Sequence, residues 1–235
     1  MNNKIKPLRL FVAGTDTGIG KTVLSLLLMQ YFYERGFTPF YIKPAQTGCC
    51  NVHDHDSDAR FIYEHVKALS GQNPADSVIY CFKNPKAPYF AARDEAQEID
   101  FSVITAAVEA KSAAYSPLII EGSGGIFVPV TEKLMVIDMI QITKAKTIIA
   151  ARAGLGTINH TLLTLEALRR RSLAAAGIIL LAGEKEAAHP EIIRENMEAI
   201  EKFSGIKVGG VIGNITDFSK PSPECYAPLD RLKLL

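Results

Sequence analysis

The sequence has no excess of charge of either sign. Lys and Arg number 26 against 25 Asp and Glu, and the formal net charge of the 235 residues is +1. Proteins that bind nucleic acid or an acidic membrane surface through electrostatics carry concentrated positive charge. The balanced composition offers no such attraction, and we therefore expect neither nucleic acid nor membrane as a partner.

Long hydrophobic runs are also missing. The longest runs, such as 23–29 and 177–182, fall well short of the ~20 apolar residues that a membrane-spanning helix needs. Residues 1–14 begin with several basic residues, as a signal peptide does. Their apolar stretch is too short for a signal peptide, however, and it runs into a glycine-rich loop. We therefore expect a cytoplasmic protein.

Cysteine is scarce, and its spacing is uninformative. The four cysteines are Cys49, Cys50, Cys81 and Cys225, and none of them forms a C-x-x-C pair. This spacing indicates neither a disulfide framework nor a zinc site, so reduced thiols are expected.

The most informative feature that is present is a phosphate-binding loop. A short apolar run leads directly into G-T-D-T-G-I-G-K-T, which is followed by a helical pattern. Gly14, Gly18 and Gly20 are expected to adopt positive φ and to turn backbone N–H groups onto an anion. Lys21 would add a charge near the β- and γ-phosphates, and the Thr22 hydroxyl would reach Mg²⁺. The pattern predicts a nucleoside triphosphate as ligand.

Apolar β-branched runs alternate with segments of helical period along most of the chain, as expected for a parallel sheet covered by helices on both faces. We predict a doubly wound α/β fold of the phosphate-loop NTPase type, with one domain over residues 1–235 and an irregular tail over 214–235. The predicted strands are 8–13, 40–43, 118–121, 147–151, 177–181 and 208–212, and the predicted helices are 21–35, 58–69, 100–114, 158–170 and 190–203.

Ligands of such sheets gather at the carboxyl ends of the strands, where this chain places several charged residues. Glu121 ends an apolar run in the position of the acidic Mg²⁺ residue of phosphate-loop ATPases. Lys43 would bring a second ammonium near the transferred phosphoryl group, and Asp58 opens a helix that can point into the same crevice. The alternatives are a surface glutamate at a turn and a strand-end lysine that reaches water.

The motifs G-T-D-T-G-I-G-K-T, Y-I-K-P-A-Q-T-G, D-S-D-A, I-I-E-G-S-G-G and G-L-G-T-I-N-H occur in this order over about residues 8–180. Together they resemble the dethiobiotin synthetase family. The resemblance implies a homodimeric phosphate-loop enzyme in which CO₂ adds to an amine of 7,8-diaminononanoate. The carbamate then attacks the γ-phosphate of ATP to give a carbamic-phosphoric anhydride, and the second amine closes the cyclic urea and releases phosphate.

The resemblance also implies roles for individual residues. Lys43, Lys21 and Thr17 match catalytic positions, whereas Thr47, Gly154 and Asn159 match substrate-binding positions, the last two across the dimer interface. Thr22, Asp58 and Glu121 match the Mg²⁺ ligands. The nucleotide-binding positions are Gly18, Ile19, Gly20, Lys21, Thr22, Val23, Asp58, Glu121, Gly122, Ser123 and Gly124.

One departure from the family pattern concerns the nucleotide base. Family members often have an asparagine that reads adenine at the end of the strand near 177–181, where this chain has Leu181. The departure predicts looser discrimination among ATP, CTP and GTP.

A ParA- or MinD-like switch ATPase is the alternative function. Those proteins carry a signature lysine five residues before the invariant loop lysine, and this chain has Asp16 there. The residue at this position favours the synthetase.

Overall fold

The computed structural model describes residues 7–187 and 189–234, so the basic lead of the chain lies outside the described residues. Its centre is one seven-stranded sheet in the order β3-β2-β4-β1-β5-β6-β7, in which every pairing is parallel. The strands are β1 (Arg9–Gly14), β2 (Phe40–Thr47), β3 (Val78–Phe82), β4 (Leu118–Gly125), β5 (Lys146–Arg152), β6 (Ala175–Leu181) and β7 (Val208–Ile212). The predicted fold class is confirmed.

Helices connect consecutive strands and cover both faces of the sheet. They are α1 (Lys21–Glu34), α2 (Asp58–His65), α3 (Pro88–Asp94), α4 (Phe101–Ala114), α5 (Val136–Thr143), α6 (Thr157–Arg170), α7 (Glu184–Ala187), α8 (Pro190–Ser204) and α9 (Ala227–Leu232). The sequence interpretation omitted β3, α3, α5, α7 and α9. Among the described residues, no helix is long and apolar enough to cross a membrane.

Alternation along the strands divides the core into two layers. On β1, Leu10 and Val12 pack with α1, α2 and α9, whereas Phe11 and Ala13 pack on the other face with α4, α5 and α8. Because successive side chains of a strand point to opposite faces, each strand contributes to both layers. Helix α1 is buried from Leu24 to Phe32, which explains its almost continuous apolar sequence.

The segment after β7 combines irregular and regular structure. Residues 213–222 form no helix or strand, but α9 follows and packs against β7 with Leu229 and Leu232 buried. The sequence predicted an irregular tail over 214–235, whereas the structure has a helix at Ala227–Leu232 that packs its apolar side chains on the sheet. Gln30 of α1 adds a second anchor, since its side-chain amide donates to the carbonyls of Phe218 at 2.8 Å and His65 at 2.9 Å.

The docking of α9 depends on the small size of Gly209. A Cβ at this position would lie 2.3 Å from the Pro228 carbonyl oxygen and 2.9 Å from Leu232 Cδ2. We expect Gly209→Ala to lower the free energy of unfolding by about 1–3 kcal/mol, because overpacking forces the helix away from the sheet. Urea unfolding measures the change.

Gly213→Ala is the matched control, since a Cβ there has no atom within 4 Å. Its midpoint should stay close to that of the unmodified chain. Equal midpoints for the two variants would contradict the close contact between α9 and β7.

Candidate functional site

The phosphate loop joins β1 to α1 at the centre of the sheet. Gly18 and Gly20 have φ of 68° and 90°, as predicted, and Gly20 directly precedes α1. Gly14 is not among the residues of positive φ, so that expectation was wrong. Glycine is needed there for space, because a Cβ would lie 2.7 Å from the Asp16 carbonyl oxygen and 2.8 Å from Lys21 Nζ.

Lys21 folds back over the loop that precedes it. Its Nζ donates to the carbonyl oxygen of Asp16 at 2.9 Å, and the residue is only 7% exposed. Burial, reinforced by the nearby charge of Lys43, lowers the pKa of Lys21 to about 8. An anion in the loop would favour the charged form, so the position suits a triphosphate.

Lys43 lies between two carboxylates. Its Nζ is 2.6 Å from Asp58 Oδ2 and 2.7 Å from Glu121 Oε1. Burial by itself would lower the pKa of Lys43, but the two carboxylates outweigh burial and hold the pKa above its usual value. Burial likewise opposes ionisation of Asp58, yet Lys43 and the Thr22 hydroxyl hold the pKa of this carboxyl below its usual value.

The Thr22 hydroxyl completes the cluster. Its Oγ1 lies 2.8 Å from Asp58 Oδ1 and 3.0 Å from Glu121 Oε1. A single hydroxyl proton can be donated to only one of these oxygens at a time. Three oxygen-bearing side chains from α1, α2 and β4 therefore converge beside the first turn of α1.

Strand register explains why these residues meet. Ile42 of β2 pairs with Ile120 of β4, so Lys43 and Glu121 occupy the next position on neighbouring strands. Both side chains lie on the face that packs against α1 and α2, since Tyr41 and Ile119 two residues earlier belong to that layer. The parallel sheet thus brings together charges that are 78 residues apart.

Two supporting residues were missed by the sequence interpretation. The Tyr41 hydroxyl donates to Glu121 Oε2 at 3.0 Å, which occupies the carboxylate oxygen that Lys43 does not contact. Gln46 Oε1 accepts from the Asp58 backbone N–H at 3.1 Å and fixes the start of α2. The alternation of β2 placed Tyr41 on the same face as Lys43, which was the available signal.

Most predicted site residues line one cavity of about 510 Å³, which we call the phosphate cavity. Beyond the charged cluster, its walls include Thr17, Gly18, Gly20, Val23, Thr47, Ser123 and Gly124. The Ser123 hydroxyl donates to the Ala45 carbonyl at 2.7 Å, which joins the ends of β2 and β4.

Other predicted residues lie elsewhere. Gly122 faces the opposite core layer, because a Cβ there would be 2.9 Å from Phe11 Cε1. Gly154 lies in the loop after β5 and Asn159 in the first turn of α6, and neither lines the phosphate cavity. Their assignment to substrate stays a prediction that concerns a second subunit.

An adjoining cavity of about 340 Å³ shares Gly18, Gly20, Val23 and Phe218 with the phosphate cavity. Ile19, predicted to bind nucleotide, lines this second space. The remaining wall comes from the carboxyl ends of β5, β6 and β7 and from α7. The phosphate loop therefore borders both cavities.

The donor set of the cluster fits Mg²⁺. Hydroxyl and carboxylate oxygens are the ligands that Mg²⁺ prefers, usually one or two carboxylates with phosphate oxygens and water completing the shell. The predicted ligands Thr22, Asp58 and Glu121 are the residues whose oxygens converge. The cluster has two carboxylates and one hydroxyl. Among the described residues there is no separate metal site made of three or more His, Cys, Asp or Glu side chains.

A parallel sheet with a glycine-rich loop after its central strand, an acidic residue on the adjacent strand and a Lys-Thr helix start defines a phosphate-loop NTPase. Solved structures of this fold include MinD of Aquifex aeolicus, with a TM-score of 0.56 and 15% identity over 96% of this chain and 95% of that chain. An ATP complex of McdA from Cyanothece has a TM-score of 0.58 and 13% identity over 97% of this chain and 95% of that chain.

Sequence comparison is more specific. A family model described as "AAA domain" matches residues 8–222. The ATP-dependent dethiobiotin synthetase BioD of Methanococcus vannielii is 32% identical over 96% of this chain and 99% of its own length. The BioD of Anaeromyxobacter dehalogenans is 40% identical over 73% of this chain and 75% of its own length. The chain belongs to the dethiobiotin synthetase family.

The ion cluster generates a prediction about stability. Lys43→Met removes the positive charge beside Glu121, which is 1% exposed, and should lower the free energy of unfolding by on the order of 3 kcal/mol. Mg²⁺ should raise the melting temperature of this variant more than that of the unmodified chain, because the ammonium no longer competes for the carboxylates. Thermal unfolding with and without Mg²⁺ measures both effects.

Lys86→Met is the control, since Lys86 forms an ion pair with Asp94 at the surface. It should leave the melting temperature almost unchanged. If Lys43→Met and Lys86→Met behaved alike, the buried cluster would not have the electrostatic role described.

Proposed function

We propose that this chain forms the cyclic urea of dethiobiotin from 7,8-diaminononanoate, CO₂ and ATP. One amine and CO₂ give a carbamate, whose oxygen attacks the γ-phosphorus and displaces ADP. The second amine then attacks the carbonyl carbon of the carbamic-phosphoric anhydride, and inorganic phosphate leaves. The observation that carries the proposal is the convergence of Lys21, Lys43 and two carboxylates on one phosphate loop.

The two lysines suit this reaction because its reactants repel each other. A carbamate and a triphosphate are both anionic, and cationic groups fixed between them offset the repulsion as charge moves in the transition state. Lys21 would hold the phosphates over the loop. Lys43, at the floor of the phosphate cavity, would face the carbamate and the transferred phosphoryl group.

Thr22, Asp58 and Glu121 would hold Mg²⁺, which would supply charge neutralisation of the β- and γ-phosphates. Lys43 and the cation would share the same two carboxylates. Occupation of the carboxylates by a divalent ion would therefore leave the ammonium available to the anionic reactants. Tyr41 would keep Glu121 in position through the bond to its second oxygen.

The diamine would bind beside the end of β2, where Thr47 lines the phosphate cavity, as Thr17 of the phosphate loop also does. A homodimer would bring Gly154 and Asn159 of a second subunit to the carboxylate of the substrate. Leu155, between these residues, is 82% exposed, and Leu163 on α6 is 60% exposed. Apolar side chains so accessible are suited to an interface. The cytoplasmic location stays a prediction from the sequence.

The switch ATPase remains the second candidate, because the fold is shared with MinD and McdA. The absence of a lysine at Asp16 argues against it. The two functions differ in one respect that can be measured: the synthetase should release phosphate in proportion to diamine consumed, whereas a switch ATPase would ignore the diamine.

The direct test incubates the purified chain with ATP, Mg²⁺, bicarbonate and diaminononanoate, and measures dethiobiotin by mass and phosphate release in parallel. Lys43→Met should lower kcat by roughly a hundredfold or more with little change in nucleotide Kd, as expected for a group acting in the transition state. Lys21→Met should lower kcat and also weaken nucleotide binding. Lys83→Met at the surface should change neither kcat nor nucleotide Kd. Phosphate release without dethiobiotin would refute the proposal.

The dimer has its own test. Leu155→Asp should shift the chain towards monomer in light scattering and raise the KM for diamine, because the partner loop is lost. Val103→Asp is the control, since Val103 is 45% exposed on α4, which packs against α5, β2, β3 and β4. A monomeric unmodified chain with full activity would contradict the proposed interface.

A further inference from the structure

The two oxygens of the Glu121 carboxylate have different surroundings. Oε1 accepts from Lys43 Nζ at 2.7 Å and lies 3.0 Å from the Thr22 hydroxyl, and both of those residues line the phosphate cavity. Oε2 accepts from the Tyr41 hydroxyl at 3.0 Å. Tyr41 is 1% exposed and is not among the residues that line the cavity. One oxygen is therefore bonded to side chains of the cavity wall, and the other to a side chain of the core.

The Tyr41 hydroxyl holds the carboxylate in this orientation. Tyr41 pairs with Ile119 on the neighbouring strand, and its ring is buried in the core layer that contains α1 and α2. In the described part of the chain, Glu121 is the hydrogen-bond partner of this hydroxyl. A carboxylate that turned both oxygens towards the cavity would leave the hydroxyl buried and unpaired, which costs free energy. The bond therefore opposes such a rotation.

Asp58 has no comparable restraint on its side chain. Its Oδ1 lies 2.8 Å from the Thr22 hydroxyl, and its Oδ2 lies 2.6 Å from Lys43 Nζ. Both partners line the phosphate cavity, so a cation that displaced them could take either oxygen. Of the two carboxylates in the cluster, Glu121 is the one that the core fixes.

Divalent cations differ in how they use a carboxylate. Ca²⁺ takes about six to eight oxygen ligands in a flexible shell and accepts both oxygens of one carboxylate. Mg²⁺ requires near-octahedral geometry, and the two oxygens of one carboxylate are too close together for neighbouring corners of an octahedron. A site in which Glu121 offers a single oxygen suits Mg²⁺ and withholds a ligand from Ca²⁺.

This inference rests on the proposed Mg²⁺ site of Thr22, Asp58 and Glu121. We propose that Tyr41 is a specificity-determining residue of that site, which favours Mg²⁺ over Ca²⁺ by restricting Glu121 to one oxygen. Tyr41 does not touch the cation. It is a positioning residue that acts through Glu121.

The test measures the Kd of β,γ-methylene ATP, a non-hydrolysable analogue, by calorimetry with Mg²⁺ or Ca²⁺ in saturating excess and no diamine. The unmodified chain should bind the Mg²⁺ complex at least about tenfold more tightly than the Ca²⁺ complex. Tyr41→Phe should reduce this preference by about tenfold, because the loss of a hydrogen bond to a charged acceptor releases Oε2 for the larger cation.

Tyr63→Phe is the matched control. The Tyr63 hydroxyl is also buried, but it bonds to Ser77 Oγ at 2.8 Å, and Tyr63 does not line the phosphate cavity. Both variants remove a buried hydroxyl and keep the ring, so both should lower the melting temperature. Only Tyr41→Phe should change the ratio of the two Kd values, which a general loss of stability would not alter.

Equal affinities of the unmodified chain for the two complexes, or tighter binding of the Ca²⁺ complex, would overturn the proposal whether or not the variants fold. So would an unchanged ratio in folded Tyr41→Phe, or an equal change of the ratio in Tyr63→Phe. Failure of the synthetase proposal is distinguishable, because it would appear as absent dethiobiotin in Mg²⁺ while the Kd ratios persisted.

Discussion

The buried ammonium of Lys43 is the interaction on which the site depends. It is 2.6 Å from one carboxylate and 2.7 Å from another, and Glu121 is almost inaccessible to solvent. Such a cluster is a poor source of stability, since apolar residues of the same size would avoid the cost of desolvating its charges. Its presence in the middle of a well-packed sheet fits the proposal that the loop beside it holds anionic reactants.

The same cluster joins four elements that are far apart in the sequence. Lys43 lies on β2, Glu121 on β4, Asp58 at the start of α2 and Thr22 in the first turn of α1. Tyr41 and Gln46 anchor it from within β2. Movement of any one of these elements would therefore disturb the geometry of the other three, and the cluster behaves as a unit.

The sequence predicted this convergence because charged residues at the carboxyl ends of parallel strands must lie along one edge of the sheet. It predicted the six more buried strands as well. It did not predict β3, whose residues are mostly half-buried at the sheet edge, or α5, whose Val and Ile residues favour a strand locally. Tertiary packing favours the helical conformation of α5, because its buried face contacts the core layer of β4. Gly14 was correctly placed in the phosphate loop, but positive φ was the wrong reason for a glycine there. The actual reason is the close approach of Lys21 Nζ, which sequence spacing does not reveal.

The segment between β7 and α9 is anchored to α1, and this limits how far it can be shortened. Phe218 borders both cavities and is held by Gln30, on the same helix whose first turn carries Lys21 and Thr22. A shortened connection between β7 and α9 would remove part of the wall of both cavities and would also pull on α1, through the bond from Gln30. The polypeptide after the sheet is therefore a structural wall of the site and could not be trimmed as a dispensable appendage.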